Sequence, residues 1–351
     1  MLRHTTTFVI GAGANYDLDM PLGVRLADEI RDISNNINLY LNFGQKNSSD
    51  IYIQCARNAG LTIGEISEAI NLIRRGILGQ NSIDDFLHIH HDNNILVKIS
   101  KIIISGAILN FENKSKLLKE KNRESSIEFD FSDIRSSWYH SFFKLLFGNV
   151  RKEQITENLE RSKFVIFNYD RCFEYIMYNG IQKLYGESPE FASGIMEKFQ
   201  ISHPYGHLGP IFSSNLLTQK SNLGLTLKFN DNVHRITLGA ERIKTYMEDQ
   251  SENSEIKISK RAIESSDYIV SLGFGFHRQN LEILRPNYKS NLRFFGTAMK
   301  FSEENIQAIE SDIRSIFCDS SDAAQFHKFS TRLLNSSCAD FIERLSRTLF
   351  T

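Results

Sequence analysis

The sequence predicts an α/β fold: a Rossmann-like, mainly parallel sheet with helices on both faces, joined by a largely helical insertion. Three observations predict it. Apolar Phe8-Val9-Ile10 runs into the glycine turn Gly11-Ala12-Gly13 and then into a periodic segment. Strand–helix alternation resumes near Phe164 and continues to the last helix. Four of the strand ends carry clusters of glycine and polar residues, the edge at which open α/β sheets hold ligands.

Along the chain, Leu22, Leu26, Ile30 and Ile33 are spaced for one face of a first helix. Asn35–Ser49 turns to Asn, Ser, Gln and Gly and reads as a loop. Ile63, Ile66, Ile70, Ile73 and Ile77 recur at three and four, which predicts an amphipathic helix over Leu61–Leu78. Ser82 caps a further helix whose Asp84 and Asp85 suit its positive end; it continues past a break at Asp92-Asn93-Asn94 through Ile95–Phe111. Glu112–Ser126 is charged and reads as a solvated hinge or loop, followed by helices at Trp138–Phe147 and Glu153–Arg161. The helical insertion is therefore placed at 37–155, and the sheet domain at 1–36 and 156–351.

In the second part, Phe164–Phe167 reads as a buried strand ending at Asn168-Tyr169-Asp170. A helix follows, with Phe173, Ile176, Met177, Ile181 and Leu184 on one side; Ser188-Pro189 opens another by cap and first-turn proline. Phe199–Ser202 is a short strand leading into His203-Pro204-Tyr205-Gly206-His207-Leu208-Gly209. Asn215–Lys257 reads poorly, with a strand at Val233–Leu238 and a helical piece around Glu241–Met247. A helix at Lys260–Ser266, strands at Tyr268–Leu272 and Asn291–Phe295, and helices at Ser302–Phe317 and Cys338–Leu349 complete the alternation.

Composition narrows the function. The 351 residues are 41% hydrophobic and 24% charged with a net charge of -1, so no global basic field recruits nucleic acid. The uninterrupted apolar runs, such as Ile102-Ile103-Ile104, are too short to span a bilayer, and the N-terminus does not read as a secretory signal. Cys55, Cys172, Cys318 and Cys338 form no C-x-x-C pair, which argues against a zinc ribbon or disulfide framework and for a reduced cytoplasm. His88, His90 and His91 have a metal-like look, but a solvated helix surface explains them better, and no metal is expected.

The four strand-end clusters are Gly11–Tyr16, Asn168–Asp170, His203–Gly209 and Gly273–Asn280. Each has a plain structural reading: Asn168 and Asp170 as helix caps, His203 as a satisfied core histidine, Gly273 and Gly275 as room for close packing. Their coincidence at one sheet edge favours a dinucleotide site. In such a site Gly11 permits a tight turn and Gly13 lets backbone approach a pyrophosphate. A dehydrogenase fits less well, because Tyr16 stands where its fingerprint needs a third glycine.

The blocks GAGANYDLDMP, FNYD, HPYGHLG and SLGFGF, in this order, resemble the sirtuin-like NAD-binding domain, and the nearest likeness is to sirtuin-like proteins of bacterial antiviral defence. SIDDFL at Ser82–Leu87 is similar to a helix start in the inserted region of such proteins. The resemblance implies that Gly11, Ala12 and Gly13 hold the pyrophosphate, with Asn15 and Asp17 in the loop over the nicotinamide half. It implies Asn168 beside the nicotinamide ribose and Asp170 near the carboxamide. Gly273 falls at the phosphate or adenosine ribose, with Ser271, Phe274, Gly275 and Phe276 in that wall. The family's histidine directly precedes a glycine, a place that Tyr205 takes here; His203 is the first choice for the base and His207 the second, while Tyr205 lines the site.

What the resemblance implies is an NAD+ hydrolase, releasing nicotinamide and ADP-ribose and depleting NAD+ on infection. NAD+ is then the substrate. Homo-oligomers and a partner ATPase or other defence subunit are expected; a membrane or direct nucleic-acid contact is not. The family's deacylases carry a four-cysteine zinc module that this chain lacks, so water is the simpler acceptor. Two alternatives stay open: an NAD-dependent deacylase or ADP-ribosyltransferase, and a non-catalytic NAD or ADP-ribose binder.

Overall fold

A computed structural model describes residues 2–43, 50–80, 82–118, 129–211, 223–226, 228–245, 254–287, 292–318 and 329–349. Six strands make one sheet: β1 (Thr6–Ile10), β2 (Ser162–Ile166), β3 (Gln200–Ser202), β4 (Tyr268–Leu272), β5 (Arg293–Thr297) and β6 (Ser330–Leu334). Their order is β3-β2-β1-β4-β5-β6 and every pairing is parallel. Central β1 registers Ile10 against Ile166 on one side and Leu272 on the other. The order reverses between β1 and β4, which opens a crevice beyond their carboxyl ends.

Both faces of the sheet are covered, as buried parallel strands require. Phe8 and Phe164, side by side in register, stack at 5.5 Å on one face. Phe142 of α6 (Trp138–Phe147) meets Phe8 edge-on at 5.0 Å, and Phe173 of α8 (Cys172–Tyr185) lies 4.6 Å from Phe164. The alternate residue Thr7 points to the other face, where its hydroxyl donates to the Ala262 carbonyl of α11 (Ser254–Glu264). The C-terminal helix α14 (Cys338–Leu349) packs against α6, and α13 (Glu303–Phe317) packs on β6.

Between β1 and β2 the described residues are largely helical: α1 (Gly23–Phe43), α2 (Asp50–Asn58), α3 (Ile63–Gly76), α4 (Ile83–Ile89), α5 (Asn94–Lys114), then α6 and α7 (Ile155–Leu159). Helix α5 is wrapped by α1, α2, α3 and α10 (Phe229–Arg242), so most of its circumference is buried. Among the described residues it is the one helix long and apolar enough to cross a membrane. Its apolar runs look short in the sequence because Lys98, Ser100, Lys101, Ser105 and Gly106 interrupt them, yet Ser100, Ser105 and Gly106 are buried in the helix bundle.

Several expectations are corrected. Asn35–Phe43 is helix, since α1 carries its buried face on to Ile37. The helix at Glu112–Lys114 replaces the start of a solvated loop, and Glu112 is fully buried. Val233–Leu238 is not a strand but part of α10, with Val233, Ile236 and Ala240 buried at helical spacing. Leu22, Ile63 and Leu184 are exposed although their periods suggested core. Strand β6 was not foreseen; Tyr246-Met247 and Asn291 lie outside the described residues.

Candidate functional site

A cavity of about 440 Å³ opens at the carboxyl ends of β1, β2, β4 and β5, across the point where strand order reverses. This is within the range of small-molecule sites. Its wall includes Gly11, Ala12, Gly13 and Asp17 after β1, Asn168 and Asp170 after β2, Tyr205 after β3, and Gly273, Phe274 and Gly275 after β4. Ten of the residues singled out in the sequence thus meet at one place. Asn15, His203 and His207 are not among those that line it.

The glycines of the turn have a packing role in the fold itself. The Gly11 N–H donates to the Leu272 carbonyl at 3.0 Å and the Gly13 N–H to the Gly273 carbonyl at 2.9 Å. These two donors are engaged with the β4 end rather than bare. Gly273 sits at φ +56, and a Cβ there would lie 1.9 Å from the Ala14 nitrogen. A Cβ on Gly13 would come within 2.9 Å of Gly273. The glycines let two backbone turns interlock beneath the cavity. No long helix starts at the turn: a 3-10 helix over Ala12–Leu18 intervenes, and α1 begins at Gly23.

Asn168 is the outstanding polar group. It is 6% exposed and lines the cavity, yet neither its amide nitrogen nor its amide oxygen has a hydrogen-bond partner. Buried amides are normally satisfied on both atoms, so this one is set to meet something that enters the cavity. Asp170, also 6% exposed, accepts from the Asn15 amide at 2.7 Å and from the Cys172 N–H at 3.0 Å. Burial pushes its pKa up to about 6 against those bonds. Asn15 is therefore a support: its amide oxygen accepts from the Tyr139 hydroxyl at 2.7 Å, which fixes its orientation behind Asp170.

Other wall residues were not picked out as site residues in the sequence. Asp84 of α4 accepts from the Tyr169 hydroxyl at 2.8 Å, and burial raises its pKa. Ser82, which caps α4 by accepting the Asp85 N–H at 3.0 Å, lines the cavity too. His277, Asn280, Lys300 and Ser336 complete this set, and Tyr205 donates its hydroxyl to Asn280. Ser82 and Asp84 are signalled in the sequence by the capping pattern of α4, and His277 and Asn280 by the cluster Gly273–Asn280; Lys300 and Ser336 follow β5 and the unforeseen β6.

His203 is 6% exposed and its Nε2 lies 2.7 Å from Glu174 Oε1. Burial pushes the Glu174 carboxyl up, but His203 and His207 outweigh it and leave the group below its ordinary range. The His207 ring lies 4.6 Å from that of His203; burial lowers its pKa to about 4, so it is neutral at physiological pH. The pair of histidines forms a compact cluster with Glu174, and Tyr205 is the member of that loop that lines the cavity. His88 is exposed at the end of α4, whereas His90 and His91 lie in the turn beyond it, so the three do not share one helix.

No protein-family model, no curated protein and no solved structure matches this chain.

Proposed function

We propose that the cavity binds NAD+ and that the chain hydrolyses the bond between nicotinamide and ribose. The single observation that carries this is Asn168: a buried amide with both polar atoms unpartnered, in a cavity at the switch point of a 3-2-1-4-5-6 sheet. The resemblance of the four strand-end blocks to sirtuin-like domains supports the same ligand.

Cleavage of this bond develops positive charge on the ribose while a neutral nicotinamide leaves, so no strong acid is needed. Asn168 holds a ribose hydroxyl or the attacking water without adding charge. The Asp170 carboxylate faces the developing cation, and its pKa near 6 suits it to take the proton that water loses as its oxygen bonds to the ribose carbon. Asn15 and the Cys172 N–H hold that carboxylate in one orientation. The proton is assigned here to Asp170 rather than to His203 or His207, because neither histidine lines the cavity.

That placement of the histidines favours a second reading, a binder of NAD+ or ADP-ribose without turnover. Nicotinamide release and NAD+ binding, measured on wild type and Asn168→Ala, decide between them. Hydrolysis is expected to fall at least about a hundredfold in the variant with its melting temperature kept. Binding with no release by wild type would favour the second reading, and no binding would sink both. The defence role rests on the resemblance alone; it requires NAD+ to fall in phage-infected cells carrying wild type and to hold in those carrying Asn168→Ala.

A further inference from the structure

We propose that the N-terminus of α14, together with Lys300 and Ser336, holds a phosphate group of the nucleotide in this cavity. The inference rests on the nucleotide reading above and moves the anion away from the glycine turn, whose Gly11 and Gly13 N–H groups are already engaged.

Ser336, Ser337 and Cys338 line the cavity at the start of α14, a 12-residue helix. The first-turn N–H groups of a helix have no intrahelical acceptor and carry the positive end of its dipole. Ser337 caps the helix by accepting the Asp340 N–H at 3.1 Å, while its hydroxyl donates to Asp340 Oδ2 at 2.7 Å. Ser336 is different. It is 8% exposed, it lines the cavity, and its hydroxyl has no partner. A donor buried at the mouth of a helix dipole points to an anion.

Lys300 supplies the charge. Among the described residues that line the cavity it is the one lysine or arginine. Its backbone is at φ +68, a left-handed conformation in which glycine or asparagine costs least. Asn335 holds it there: its side chain accepts the Lys300 N–H at 3.0 Å and donates to the Phe301 carbonyl at 3.1 Å. Asn335 directly precedes Ser336, so one short turn sets both the cation and the buried hydroxyl. Asp17 and Asp340 stand at the same end; burial chiefly, and the Asp340 charge besides, raise the Asp17 pKa, while Lys116 lowers it.

The test titrates adenosine, ADP, NAD+ and NADP+ onto wild type, Lys300→Gln, Lys300→Arg and Ser336→Ala by calorimetry, with melting temperatures as the check on folding. Lys300→Gln keeps the same backbone cost, so its effect reports the charge. Phosphorylated ligands are expected to bind about tenfold more weakly to Lys300→Gln, less so to Ser336→Ala, with Lys300→Arg retaining affinity. Equal losses for NAD+ and NADP+ assign the site to the diphosphate bridge; a loss for NADP+ alone assigns it to a ribose 2′-phosphate. If every ligand binds wild type and variants alike, the phosphate site is overturned and the nucleotide cavity stands. If ADP depends on these residues and NAD+ does not bind, the site stands and the NAD+ reading falls. Binding of none of the four overturns both.

Discussion

Asp170 keeps its proton to a pH at which an exposed aspartate has lost it, because burial costs its charged form more than Asn15 and the Cys172 N–H repay. The consequence for stability has a definite sign. Between an ordinary 3.8 and about 6 the unfolded chain has released this proton while the folded chain retains it. Folding stability attributable to Asp170 is therefore complete at the acid end of that window and is lost as pH rises through about 6. Asp170→Asn keeps an oxygen to accept both bonds and removes the titration. Urea midpoints of the two proteins are expected to converge toward the acid end and to separate in favour of the variant above pH 6. A constant difference across the window would mean that Asp170 is not held neutral. The same variant is expected to lose nicotinamide release, so one substitution would trade activity for stability.

Helix α4 illustrates how an element can belong to both the fold and the site. Ser82 caps it and lines the cavity beside Ile83 and Asp84, whereas Thr62 caps α3 through a box with Glu65, and neither of those two residues lines the cavity. Removing either cap costs about 1 kcal/mol. Ser82→Ala and Thr62→Ala should thus lower the denaturant midpoint similarly, but only Ser82→Ala should weaken NAD+ binding, by several-fold in calorimetry. Equal affinities would detach α4 from the ligand. The cap was legible in the sequence, as were the helix at Trp138–Phe147 and the strand–helix alternation, because those signals are local. What escaped was set by tertiary partners. Val233 and Ile236 are β-branched and suggested a strand, yet α2 and α5 present a surface that buries them at helical spacing. Strand β6 buries little besides Leu333, so no alternation marks it. Each of the four strand-end clusters supplies at least one residue to the cavity wall. The reason that Gly11 and Gly13 are glycine lay in the β4 turn, more than 250 residues on.

At the scale of the whole molecule, the helical layer and the cavity are tied through one buried charge. Glu112, at the end of α5, is fully buried and accepts from both the Arg171 N–H, at 3.0 Å, and the Arg171 Nε, at 3.1 Å. Its other oxygen accepts from Arg171 Nη2 and from the Gly224 N–H, at 2.8 Å from the latter. Arg171 directly follows Asp170, so the pair fixes the cavity wall to the helices that wrap α5. Removing one member leaves the other charged and buried, which costs about 3–5 kcal/mol, whereas an apolar pair of similar size costs far less. Glu112→Leu and Arg171→Met are each expected to fall in that range by urea denaturation. The double variant should lose much less than the sum, with a residual cost because the Arg171 and Gly224 N–H groups still lack their acceptor. The physical claim at stake is coupling: each single variant should also weaken NAD+ binding although neither residue lines the cavity. Additive losses with binding unchanged would mean that the two layers are held together elsewhere, and that Asp170 and Asn168 keep their positions without this clamp.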